Sequence, residues 1–172
     1  MKTSKIMLAA VMAGSVTVLA GCGGLEVVND PSGQGISQEN TTTAYKNTSE
    51  GYTLNYPKVW QSQVSPEDSL DWNGKSLPAD NVVVFNYTPA KGGSPEPLIA
   101  LAVYQQSDLD KLENAQQDNP EFKKPTVIAS QGDKVLVAYS RGSNPYSLTS
   151  ADGQAFSVRA LTPEQLKSAV VW

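Results

Sequence analysis

Two apolar runs on either side of a Pro- and Gly-rich turn constrain this chain more than any other feature. Asn81–Tyr87 places Val82, Val83, Val84 and Phe85 in succession, and β-branched and aromatic residues fit a pleated surface. Leu98–Tyr104 is apolar at both sets of alternate positions. A strand with one wet face alternates apolar and polar, so a strand without a polar face must be covered on both sides. Both segments are expected as buried strands, with Leu98–Tyr104 central. Pro89 to Pro97, containing Lys91-Gly92-Gly93-Ser94, reads as the turn between them.

Weaker patterns fill in the rest of 45–172. Tyr52-Thr53-Leu54-Asn55-Tyr56 alternates as a half-buried strand does, opened by Gly51 and closed by Pro57. Trp60-Gln61-Ser62-Gln63-Val64 reads as a short second strand ended by Pro66, and residues 65–80 read as a loop carrying Trp72. A first helix is expected from Ser107 to about Asn119, with Ser107 and Asp110 as a capping box, Leu109 and Leu112 on a narrow apolar stripe, and Pro120 as the stop. Thr126–Gln131 and Lys134–Ser140 read as strands joined by Gly132-Asp133, the order that suits a type II′ hairpin. Near the end, Thr162, Pro163 and Gln165 form a second capping box, and Leu161 and Leu166 occupy the positions of a hydrophobic staple. Residues 150–160 are open between helix and strand, because Gly153 and the Phe156/Val158 alternation pull against a helix. Strands dominate and the helices sit apart from them, so the expected class is α+β with an antiparallel sheet flanked by helices.

Composition removes several kinds of chemistry. The chain has 172 residues, no His and one Cys. Histidine triads, histidine metal sites and histidine general bases are therefore impossible, as is an intrachain disulfide. Thirteen Lys and Arg against 17 Asp and Glu leave a formal charge of −4, the wrong sign for a nucleic-acid binder. Serine has no S-x-x-K partner, and Lys75, Lys91 and Lys134 read as solvated turn residues.

The N-terminus reads as an address. Lys2 and Lys5 precede a charge-free run from Ile6 to Ala20, about fifteen residues, shorter than the ~20 that span a bilayer as a helix and suited to the apolar core of a secretory signal. The run ends in Leu19-Ala20-Gly21-Cys22, which resembles the lipobox of bacterial lipoproteins. That resemblance implies cleavage before Cys22, with the thiol of Cys22 linked to diacylglycerol and its amine carrying a further, palmitate-class chain. Two or three acyl chains hold a protein on a membrane without a spanning helix, at about 0.8 kcal/mol per buried methylene. Residues 1–21 are then the signal peptide. Residues 22–44, rich in Gly, Ser, Thr, Asn and Gln, are a flexible spacer, and 45–172 is one globular domain. Without Lys2 and Lys5 the mature chain has 11 basic and 17 acidic residues, a charge of −6, so the anchor and not charge must hold it at an anionic surface.

The segment Gly51-Tyr52-Thr53-Leu54-Asn55-Tyr56-Pro57-Lys58-Val59-Trp60 resembles the opening of PsbP/Mog1-like domains. Glycine opens a strand, proline ends it, and tryptophan anchors the next strand on the sheet. The resemblance implies an antiparallel sheet flanked by helices that is used for protein binding and not for one shared chemistry. No functional residue is carried over, since fold does not transmit function.

Two functions from different classes remain. The first is a non-catalytic, membrane-anchored envelope module that binds a protein partner or supports an assembly, with no cofactor and no metal. It would sit on the cell membrane or outer membrane, with the domain on the extracytoplasmic side. Asp71 and Trp72, placed in a loop, are its candidate binding surface. The alternative is a hydrolase acting on envelope polysaccharide through Glu67, Asp68, Asp71 or Asp80 beside Trp72, which needs two carboxylates facing across a pocket roughly 5–10 Å apart. Ser69, Asp71, Asn73, Gly74 and Asp80 also lie at calcium-loop spacing, but the first position has no carboxylate and the last is not Glu. A solute receptor would need a sizeable cleft, for which a domain of about 130 residues offers little room.

Overall fold

The computed structural model describes residues 42–119 and 122–172. The expected signal peptide, Cys22 with the segment that resembles a lipobox, the expected spacer up to residue 41, and Pro120 lie outside the described residues.

The two apolar runs form the centre of a five-stranded antiparallel sheet. Its strands are β3 (Val64–Asp68), β6 (Asn81–Tyr87), β7 (Glu96–Gln105), β8 (Thr126–Gln131) and β9 (Lys134–Ser140), in the order β3-β6-β7-β9-β8. The third position of that order is β7, as its two apolar faces require. A smaller antiparallel sheet, in the order β1-β2-β10, contains β1 (Thr42–Lys46), β2 (Thr53–Pro57) and β10 (Val170–Val171). A two-stranded hairpin, β4 (Asp71–Trp72) and β5 (Lys75–Ser76), and three helices complete the described residues: α1 (Gln106–Gln116), α2 (Ala151–Ser157) and α3 (Pro163–Ala169). The class is mixed α+β with antiparallel sheets.

Alternation along the central strands makes two cores. One face carries Val83, Phe85, Tyr87, Leu101 and Leu136, packed against Tyr52, Leu54 and Trp60 and against Phe156 and Leu166 of α2 and α3. The opposite face carries Val82, Val84, Ala100, Ala102, Val135 and Val137, packed under Leu109 of α1 and Trp72 of the hairpin. Asn47, 4 % exposed, ties the small sheet to the large one. Its Oδ1 accepts from the amides of Ser49 and Glu50, and its Nδ2 donates to Asn81 Oδ1 at the start of β6.

Local signals are met where they are self-contained. Gly132 has φ +60° while Asp133 does not adopt a positive φ, the pattern of a type II′ turn. Thr162 Oγ1 accepts from the Gln165 amide, the Gln165 side chain accepts from the Thr162 amide, and Pro163 opens α3. Beneath this box Leu161 packs against the core that encloses Leu166.

Several expectations are corrected. Trp60 does not sit in a strand. Lys58–Trp60 is a 3₁₀ turn, continued by bonds from Gln61 N to Lys58 O and from Gln63 N to Trp60 O. That turn aims the indole inward, where its N–H donates to the Arg159 carbonyl at 3.0 Å. The expected loop 65–80 contains an edge strand and a hairpin. In β3, Pro66 stands opposite Phe85, a position open to proline because an edge strand leaves one row of amides unpaired. The 65–80 segment also holds an Asn73-Gly74 turn with φ +52° and +75°, the dipeptide and dihedral signs of a type I′ hairpin. Strand β1 begins at Thr42, inside the segment read as spacer, because its register with β2 runs from Thr42–Pro57 to Lys46–Thr53. Helix α1 starts at Gln106, with Gln105 as an N-cap that makes no side-chain capping bond. Ser107 is therefore two residues past the N-cap, too far in to cap, and Asp110 instead accepts from Gln106 Nε2. Lys134 is not a free turn lysine. Its Nζ meets Glu50 Oε2 at 2.7 Å, and that bond raises its pKa above the ordinary lysine value.

Residues 151–157, inside the region left open by the sequence, are helix α2. Ser150 caps it through its side chain to the Gly153 amide. Gly153 is there because of a close approach, since a Cβ at that position would overlap the Ser147 carbonyl oxygen. Helix propensity alone favours Ala over Gly by about 1 kcal/mol, while overpacking costs about 1–3 kcal/mol. Gly153→Ala is expected to destabilise the domain in urea unfolding, and a stabilised variant would show that the Ser147 contact is slack.

Candidate functional site

The expected binding pair, Asp71 and Trp72, forms strand β4 of the hairpin. Trp72 is 8 % exposed and packs beside Tyr139, ring centroids 6.5 Å apart. Asp71 is exposed, its amide donating to Ser69 Oγ. Adjacent residues in a strand point to opposite faces, so once Trp72 turns into the core Asp71 turns out to solvent. The indole pins the hairpin to the sheet. Below it, the Tyr104 and Tyr139 hydroxyls lie 2.8 Å apart in the interior.

The other carboxylates are separately engaged. Glu67, Asp68 and Asp80 are exposed. Glu67 accepts from Asn86 Nδ2 and Asp80 from Gln105 Nε2. The segment that resembled a calcium loop is the β4–β5 hairpin. Among the described residues no three His, Cys, Asp or Glu side chains converge as a metal site would require.

A cleft of about 630 Å³ does open beside the hairpin tip, lined by Asn73, Glu96, Pro97, Lys123, Arg141, Gly142 and Ser143. The register explains why these distant segments meet. Ile99 lies opposite Ser140, and Thr126 opposite Ala138. The start of β7, the exit of β9 and the approach to β8 therefore share one end of the sheet. There Arg141 Nη1 holds Glu96 Oε2 at 2.5 Å, with both side chains half-buried. Glu113 of α1 holds Lys124, which fixes the segment before β8, while Lys123 has no ion pair among the described residues. A Cβ on Gly142 would stand 2.5 Å from Lys123 Nζ, so the missing side chain admits the ammonium to the cleft wall. No single segment signals this site in the sequence. Glu96, Lys123 and Arg141 read there as ordinary surface charges.

A second polar cluster lies inside the fold. Arg159 is 6 % exposed. Its Nη1 donates to Ala155 O at 2.8 Å, its Nη2 donates to Gln63 Oε1 at 2.6 Å, and the guanidinium lies 5.8 Å from the Tyr87 ring centroid. Gln63 Nε2 donates to Tyr87 Oη, which in turn donates to Asp152 Oδ1 at 3.0 Å. A cation is thus held by neutral acceptors and an aromatic face, with the nearest carboxylate of this chain of bonds reached only through Gln63 and Tyr87. Burial pulls the pKa of Arg159 down. Arginine keeps its proton under such a load where lysine would not, so the cluster braces the sheet end and offers no titratable base.

Comparison with protein-family models, with curated proteins and with solved structures gives no match.

The buried phenols set an alkaline limit. Burial raises Tyr52 and Tyr139 far above the ordinary tyrosine value of 10.0 and also raises Tyr45, Tyr87, Tyr104 and Tyr146. Each phenol has a higher pKa folded than unfolded, so above about pH 10 the unfolded chain has released protons that the folded one still holds. Stability is whole below that pH and declines as pH rises past it. The main rise in tyrosinate absorbance should coincide with loss of the folded circular dichroism signal. A rise complete while the protein stays folded would contradict the burial of these rings.

Proposed function

We propose that this chain is a bacterial envelope lipoprotein, anchored through acylated Cys22, whose α+β domain is a non-catalytic accessory module that binds a protein partner. The observation that carries the reading is the Leu19-Ala20-Gly21-Cys22 sequence at the end of the Ile6–Ala20 apolar run. It accounts for the single cysteine, the polar spacer behind it and the acidic charge of the remainder. A lipid anchor is also compatible with a domain in which no helix among the described residues is long and apolar enough to cross a membrane. The proposed location is the cell membrane or outer membrane, with the domain on the extracytoplasmic side.

The finer fold reading is PsbP/Mog1-like. It is supported by the conformation of the motif that suggested it: Gly51 has φ +80°, Thr53–Pro57 is a strand, and Trp60 is fully buried. In such a module the sheet is a scaffold, and binding falls to its ends and edges.

The polysaccharide-hydrolase alternative has less to stand on. Its candidates Glu67, Asp68, Asp71 and Asp80 are exposed. None of them lines the cleft at the sheet end, whereas paired glycosidase carboxylates face one another across a bound sugar.

Cys22→Ala is expected to abolish partition into the detergent phase and to leave an unprocessed precursor. Recovery of that variant in the membrane fraction at the wild-type level would overturn the anchor.

A further inference from the structure

We infer that the cleft at the end of the large sheet is a binding site for a small polar molecule bearing an oxyanion, a phosphate or a carboxylate, held between Lys123 and Arg141. This inference concerns the folded domain alone and stands whether or not Cys22 is acylated.

Charge supplies the first argument. Residues 42–172 contain 11 basic and 14 acidic side chains, a net charge of −3. Among the described residues, the cleft lining carries two cations, Lys123 and Arg141, against one carboxylate, Glu96. Glu96 engages only Nη1 of Arg141, so the rest of the guanidinium keeps its donors. Lys123 adds three more and has no ion pair among the described residues, unlike its neighbour Lys124. Charge-assisted bonds of this kind are the strong ones, and arginine suits planar or tetrahedral oxyanions.

Shape supplies the second. The cleft is open to solvent and has a volume of about 630 Å³, room to seat a small anion against its wall without enclosing it. The Lys123 ammonium lies close against Gly142, 2.5 Å from where a Cβ would stand. Asn73 and Ser143 place an amide and a hydroxyl on the rim, and Pro97 gives one apolar wall. An oxyanion between the cations leaves room for a polar body of several heavy atoms.

Rigidity supplies the third. Asn73 is held by a hairpin that Trp72 pins to Tyr139. Glu96 and Arg141 lie at the ends of paired strands, and the segment carrying Lys123 is tied to α1 through Lys124 and Glu113. The Arg141 donors therefore need little ordering before a ligand arrives, while the exposed Lys123 side chain is ordered by the ligand itself.

The test is a titration of the folded domain with inorganic phosphate and, separately, sodium acetate at constant ionic strength. Amide chemical shifts of Gly142 and Ser143 report occupancy. The expected result is a saturable shift confined to the sheet end with at least one of the two anions. Phosphate alone saturating assigns the site to phosphate-bearing ligands, and acetate alone assigns it to carboxylates. Lys123→Gln should weaken binding about tenfold, the loss of one charge-assisted hydrogen bond. Lys167→Gln removes the same charge from helix α3, away from the cleft lining, and should bind as the wild type does. Shifts that grow linearly without saturation for both anions would overturn the site. Equal weakening by Lys123→Gln and Lys167→Gln would also overturn it, since it would show general charge attraction only.

Discussion

Strands β6, β7 and β9 carry apolar side chains on both faces, and most of the domain exists to cover them. Val83 and Phe85 need one roof, Val82 and Val84 another. The roof over the first face is assembled from distant parts of the chain: β2, the 3₁₀ turn with Trp60, and helices α2 and α3. The roof over the second is α1 and the hairpin that carries Trp72. Burial of each large apolar side chain is worth about 1.5–3 kcal/mol, so neither face can be left to water. Loss of either roof would leave a broad exposed apolar sheet, which soluble monomers avoid.

This two-sided burial also explains the polar interior. Closing the first face brings the end of α2 over the end of β6, and with it Arg159. Its charge cannot be left bare in the interior. Gln63, the Ala155 carbonyl and the Tyr87 ring take it up, and the Arg159 carbonyl accepts the indole N–H of Trp60. One residue thus serves both core and network. The cleft is a consequence of the same architecture at the same end of the sheet, where Tyr87 at the end of β6 pairs with Glu96 at the start of β7. Register sets Glu96 beside Arg141, and Trp72 holds the hairpin tip over them.

Legibility followed the range of the interaction. The central strands were legible because a doubly apolar strand has few other places to go. The Gly132-Asp133 hairpin and the Thr162–Gln165 box were legible because every partner lies within a few residues. The Asn73-Gly74 hairpin was equally local, yet the Pro, Ser and Asp residues around it suggested a loop. The candidate site was less legible. Trp72 looked exposed because its neighbours are polar, and no local pattern can show that Tyr139, far along the chain, lies ready to receive it. Lys123 and Arg141 carried no local signal at all.

What the amino-acid order alone determined was the α+β class, the central pair of strands, two turns and one helix cap, each specified by side chains close together in sequence. The tertiary structure alone decided the rest. It turned Trp60 into a 3₁₀ corner, made an edge strand of Val64–Asp68, formed helix α2 around Gly153, buried Trp72 and gathered Lys123, Arg141 and Glu96 at one sheet end. The reason is physical: those outcomes depend on contacts between segments tens of residues apart, and such contacts exist only once the chain has closed over both faces of the sheet.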